Sequence, residues 1–70
     1  MEHNIEIQVN GESRHVRGGL NVEELLRSLE LQPRMIVVEH NGDILRRERY
    51  SDVRVAPGDA LELVHFVGGG

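Results

Sequence analysis

Seventy residues leave room for one domain around one small core, and 39% hydrophobic with 29% charged residues is the mix of a globular protein. The absence of cysteine excludes disulfides and thiolate metal sites, so packing alone must hold the fold. A net charge of −4 speaks against non-specific nucleic-acid binding, and the lack of any membrane-length apolar run or signal region fits a cytoplasmic protein.

Ile5, Ile7 and Val9 alternate with Glu6 and Gln8, so residues 4–9 are predicted to form a half-buried strand. Asn10-Gly11 follows, the dipeptide that best accepts positive φ at both central positions of a type I′ turn. The chain should return as a polar edge strand over residues 12–17, with Val16 as its inward residue. Gly18-Gly19 then breaks the sheet; no lysine follows and the phosphate-loop spacing is missing, so the pair reads as a turn. Asn21 suits an N-cap, with Glu24 as its capping-box partner. Val22, Leu25, Leu26 and Leu29 lie on one helical face, and Pro33 is expected to end the element.

Residues 35–40, Met-Ile-Val-Val-Glu-His, are rich in β-branched side chains and predict a third, central strand. Asn41-Gly42 repeats the first turn signal, and residues 43–46 should return as a short strand. Residues 47–53 lack a clean period and suggest a helical turn and loop, with the single tyrosine, Tyr50, packed on the core. Pro57-Gly58-Asp59 is a tight turn that launches the last strand. There, Leu61, Leu63, His65 and Val67 alternate with Glu62, Val64 and Phe66. Residues 1–67 are read as the domain, and 68–70 as a flexible tail whose glycines carry no Cβ. Its one reactive group is the α-carboxylate of Gly70, ionised at neutral pH.

One helix among four or five strands in this order implies an α+β, two-layer domain with the helix across one face of a mixed sheet. That is the ubiquitin-like β-grasp arrangement. Leu61 and Leu63 would point under the helix. Val64, Phe66 and Val37 would form an apolar patch on the uncovered face, beside the tail.

Several stretches together resemble the bacterial thiamine-biosynthesis sulfur carriers, the ThiS family. They are Val9-Asn10-Gly11, Val22 with Leu25-Leu26, the run from Val38 to Gly42, the run from Arg47 to Tyr50, and above all residues 57–70. The resemblance implies that an E1-like, ThiF-type adenylyltransferase uses ATP and Mg²⁺ to adenylate the carboxylate of Gly70. A desulfurase relay then supplies sulfur, and the resulting thiocarboxylate donates it to a ThiG-type thiazole synthase. On this reading the chain is a carrier and not an enzyme, binds no cofactor itself, and contacts its partners through Val37, Val64, Phe66, Val67, Gly68 and Gly69. The family commonly ends in two glycines; with three here, the reactive end is Gly70 or, after trimming, Gly69.

Other chemistries are less well served. His3, His15, His40 and His65 show no metal-ligand spacing, and His65 reads as a semi-buried strand residue. Arg46, Arg47 and Arg49 are the one basic cluster, open to two readings: a contact for an acidic partner or a solvated face. A molybdopterin-synthase small subunit would carry sulfur on the same fold. A ubiquitin-like modifier would attach Gly70 to target lysines, although all eight of this chain's own basic residues are arginine. A non-covalent interaction or RNA-binding module would not need Gly70.

Overall fold

The computed structural model describes residues 3–65. Within them the chain runs β1 (Asn4–Val9), β2 (Glu12–Arg17), α1 (Val22–Ser28), β3 (Ile36–His40), β4 (Asp43–Leu45) and β5 (Ala60–His65). Short 3₁₀ turns occupy Pro33–Met35 and Arg47–Arg49. The five strands form one sheet in the order β2-β1-β5-β3-β4. β1 and β5 run parallel and every other neighbouring pair is antiparallel. With one helix over one face, this is the expected β-grasp fold.

Both Asn-Gly turns form as their chemistry requires. Asn10 and Asn41 each sit at φ 52°, followed by Gly11 at 83° and Gly42 at 90°. Those angles set the hairpin registers, Val9 opposite Glu12 and His40 opposite Asp43. β2 lies at the sheet edge, exposed apart from half-buried Val16.

The capping box at α1 is complete. Asn21 Oδ1 accepts from the Glu24 N–H at 2.7 Å, and Glu24 Oε1 accepts from the Asn21 N–H at 2.9 Å. The other first-turn donors reach across the fold: Val22 N–H to the Val53 carbonyl at 2.9 Å, and Glu23 N–H to the Tyr50 carbonyl at 3.2 Å. Thus the loop before β5 satisfies groups that every helix N-terminus leaves open.

The helix ends earlier than Pro33 implied. Its last helical residue is Ser28, and Glu30 takes φ 62° in the left-handed region. The Glu30 N–H donates to Arg27 O and the Leu31 N–H to Leu26 O, both at 2.9 Å, which is a Schellman closure. A glutamate holds a position that usually selects glycine, so sequence pattern did not mark the stop. Pro33 instead opens the 3₁₀ turn to Met35, and β3 begins at Ile36, one residue later than expected.

The core consists of Ile7, Val22, Leu25, Leu26, Ile36, Val38, Tyr50, Val55 and Leu61. Val22, Leu25 and Leu26 are fully buried, and Leu29 packs against the cluster from its margin. The Tyr50 ring is buried as predicted, and its hydroxyl donates to the Ile36 carbonyl at 2.7 Å.

Candidate functional site

β5 carries the site. It lies inside the sheet, held by β1 on one side and β3 on the other. Pairing with β1 covers only Gln8–Ala60 and Val9–Leu61. Beyond that point β1 turns away, and the Asn10 side chain takes its place. Asn10 Oδ1 accepts from the Leu63 N–H at 2.7 Å and Nδ2 donates to the Leu63 carbonyl at 3.2 Å. Asn41 does similar work at the start of β5, accepting from the Ala60 N–H at 2.8 Å. The two turn asparagines thus hold the start and the middle of the strand that leads to the glycine tail, a role the turn motif alone did not disclose.

The launch of β5 is also fixed electrostatically. Asp59 is buried, and its carboxylate accepts from the Ala56 N–H at 2.9 Å and from Asn41 Nδ2 at 3.1 Å. His40 Nε2 lies 2.8 Å from Asp59 Oδ2. Burial by itself would raise this carboxyl group's pKa. The hydrogen bonds from Ala56, His40 and Asn41, with the attraction of His40, outweigh it and hold the group below its ordinary value. His40 and Asp59 are far apart in sequence, so inspection of local motifs missed the pair.

Alternation along β5 divides its side chains between two environments. Leu61 is buried under the helix and Leu63 is half-buried. His65, expected to be semi-buried, is exposed, because the cover thins along β5 beyond the seven-residue helix. On the uncovered face Val64 is 59% exposed and Val37 43%, and the two pair directly across β5 and β3. Ile44, 66% exposed, belongs to the same face through its pairing with Glu39. Sequence reading overlooked Ile44, although the register imposed by Asn41-Gly42 already implies its position. Val37, Glu39, Ile44, Glu62 and Val64 line one shallow recess of about 310 Å³. Phe66, Val67, Gly68, Gly69 and Gly70 lie outside the described residues.

The basic cluster divides into separate contacts. Arg46 approaches Glu48 and Arg49 approaches Asp52, each at 3.7 Å and well exposed, where such pairs contribute little. Arg47 turns away, and its Nη1 donates to the Arg34 carbonyl at 3.3 Å. Among the described residues, no group of three or more histidine or acidic side chains could hold a metal ion. No helix there is long and apolar enough to cross a membrane.

The ThiS family model matches residues 7–70, the last strand and all three terminal glycines included. The chain belongs to the ThiS family. It is 37% identical over 65 residues to the sulfur carrier protein ThiS of Bacillus subtilis, covering 91% of this chain and 98% of that protein. The crystal structure of a ThiS thiamine biosynthesis protein from Geobacter metallireducens superposes with a TM-score of 0.80 at 42% identity, covering 94% of this chain and all of the other. A thiazole synthase from Paramagnetospirillum magneticum is 39% identical over 66 residues, 94% of this chain but only 20% of that protein.

Proposed function

We propose that this protein works through its C-terminal end, with the folded body as the handle by which partner enzymes hold it. As a member of the ThiS family the chain is a sulfur carrier of thiamine biosynthesis, not a catalyst. In the chemistry we propose, a ThiF-type, E1-like partner transfers AMP from ATP, with Mg²⁺, to the Gly70 carboxylate, releasing pyrophosphate. A persulfide sulfur from a desulfurase relay attacks the acyl carbon and AMP leaves. A thiol then reduces the acyl disulfide, leaving a thiocarboxylate on Gly70 and an oxidised donor. A ThiG-type thiazole synthase accepts that sulfur. We place the cycle in the cytoplasm, with no nucleotide bound by this chain itself.

The physical logic supports each step. A carboxylate is a poor electrophile because oxide is a poor leaving group, whereas AMP leaves readily. Glycine removes steric obstruction around the reacting carbonyl. Three extended glycines reach about 10 Å, enough to thread a channel while the domain stays outside. Ordering them costs about 1–2 kcal/mol per residue. Val37, Ile44 and Val64 are 43–66% exposed, so covering them would recover about 1–2 kcal/mol each. The two magnitudes are comparable, so an exposed apolar strip on the folded body can offset the ordering of the tail.

The observation that carries the reading is the family match running through Gly70. The relative in which a region like this chain belongs to a thiazole synthase supports that enzyme as a partner. Intact mass spectrometry tests the chemistry. With the activating enzyme, ATP, Mg²⁺ and a sulfur donor, one terminal oxygen should be replaced by sulfur. A mass unchanged under those conditions refutes the carrier chemistry. A chain ending at Gly69 that still gains sulfur would move the reactive position back by one residue.

A further inference from the structure

β2 is the long open edge of the sheet. It runs six residues, pairs with β1 alone, and keeps an unbroken register from Val9–Glu12 to Asn4–Arg17. The opposite edge, β4, has only three residues. Sheet edges are commonly blunted by a bulge, a proline or a short strand, and β2 has none of these. The two-residue turn makes Val9 and Glu12 a hydrogen-bonded pair, and at the far end the Gly18 N–H donates to the His3 carbonyl at 2.7 Å. Glu12, Arg14 and Val16 therefore bond to β1, while the intervening Ser13 and His15 turn their backbone N–H and C=O groups to the open side. No described group bonds to them there.

A trough of about 630 Å³ runs along this edge, between β2 and α1. Arg14 and Val16 stand on its side of the sheet, because they oppose Ile7 and Ile5 across β1 and Ile7 is buried in the core with Leu25 and Leu26. Half-buried Val16, Leu20 and Leu29 give the trough an apolar wall. Three arginines, Arg14, Arg17 and Arg27, line it against one acid, Glu24. The Glu24 carboxylate is committed to the helix cap and Arg27 to Glu23. Arg14 has no ion pair among the described residues. In a chain with twelve acidic and eight basic residues, the trough is locally positive.

We propose that β2 and this trough receive an extended acidic segment of a partner protein, added to the sheet as a sixth strand. Its backbone would bond to Ser13 and His15. Every second side chain would face the trough, apolar ones against Val16, Leu20 and Leu29 and a carboxylate against Arg14. Charge decides against a second copy of this chain as the occupant. Between Glu12 and Gly18, β2 carries Arg14, His15 and Arg17 and no acid, so two such edges would set arginine beside arginine. The charges that guard the edge against its like attract a strand of opposite sign. The trough shares no residue with the recess at Val37 and Val64, so a segment held here leaves that face uncovered. An interface of one short strand belongs to the small, transient class.

The probe is a synthetic peptide of valine and aspartate, titrated into the nitrogen-labelled full chain and followed by NMR at low and high salt. Two control peptides carry lysine in place of aspartate, or the same sequence N-methylated throughout. The acidic peptide should shift amides over residues 13–17 and at Leu20 and Leu29, slow amide exchange at Ser13 and His15, and weaken as salt rises. The lysine peptide should not bind, and N-methylation should weaken binding about tenfold or more. Arg14→Glu should weaken it about tenfold. His15→Pro removes an outward N–H without breaking the β1 ladder, so it should weaken binding while thermal unfolding shows the domain still folded. Failure of the acidic peptide to shift β2 at millimolar concentration overturns the proposal. So does equal binding of the lysine peptide, which removes charge selection, or of the N-methylated one, which removes strand addition. In sedimentation of the chain alone, a dimer dissociated by His15→Pro would make a second copy the occupant and overturn the assignment to an acidic partner.

Discussion

The two faces of β3 and β5 are built from the same residues in alternation, yet they answer to different demands. Toward the helix, Ile36, Val38 and Leu61 are buried, with half-buried Leu63 beside them. Away from it, one residue along each strand, Val37, Glu62 and Val64 meet solvent, with Glu39 half-exposed among them. The first face must exclude water to stabilise a chain whose total stability is about 4–10 kcal/mol at this length. The second keeps apolar and uncompensated charged groups in solvent at a cost to the free protein. That face presents valines and opposed glutamates to solvent.

Substitutions can separate the two. The largest effect is expected on the covered face: Leu61→Ala should cost about 2–5 kcal/mol, enough to leave much of the chain unfolded at 37 °C in a urea titration. Tyr50→Phe is expected to cost about 1–3 kcal/mol, because the buried Ile36 carbonyl loses its donor with hardly any change of volume.

Asp59 gives a pH-dependent test of how β5 is launched. Its folded carboxyl titrates below its unfolded value, so the unfolded chain takes up the proton first as pH falls. The stabilisation is therefore complete above about pH 5 and disappears as pH falls through the folded value. Asp59→Asn should be less stable than the parent at pH 7, and their urea midpoints should converge in acid. A constant gap would remove the carboxylate as the cause.

Smaller effects sharpen the contrast. Glu30→Gly should gain about 1 kcal/mol, since glycine adopts φ 62° without the steric cost a side chain incurs there. Val64→Asp should cost about 1 kcal/mol, well short of Leu61→Ala, from lost strand preference and added like charge on that face. The same variant should nevertheless weaken synthase binding about tenfold or more. A large loss of stability from Val64→Asp, or none from Leu61→Ala, would erase the distinction between the faces.

Much of this was legible in the chain. The two Asn-Gly pairs specify type I′ turns because few other residues accept positive φ twice in succession. Asn21 and Glu24 announce the start of α1, and alternation in Leu61-Glu62-Leu63-Val64 assigns the faces of β5. The stop of α1 was illegible, because Glu30 occupies a left-handed position that local preference assigns to glycine. Burial of His65 was overestimated, because alternation gives the side of the sheet but not how far the helix extends over it.

Sequence alone determined the turns, the helix cap and the order of elements, because these depend on φ preferences, side-chain spacing and hydrogen bonds only a few residues apart. Tertiary structure alone decided the rest: that Asn10 closes the open edge at Leu63, that His40 meets Asp59, and that Glu39 faces Glu62. Each of these joins positions far apart in the chain, and no local rule sets the register between strands that do not share a turn.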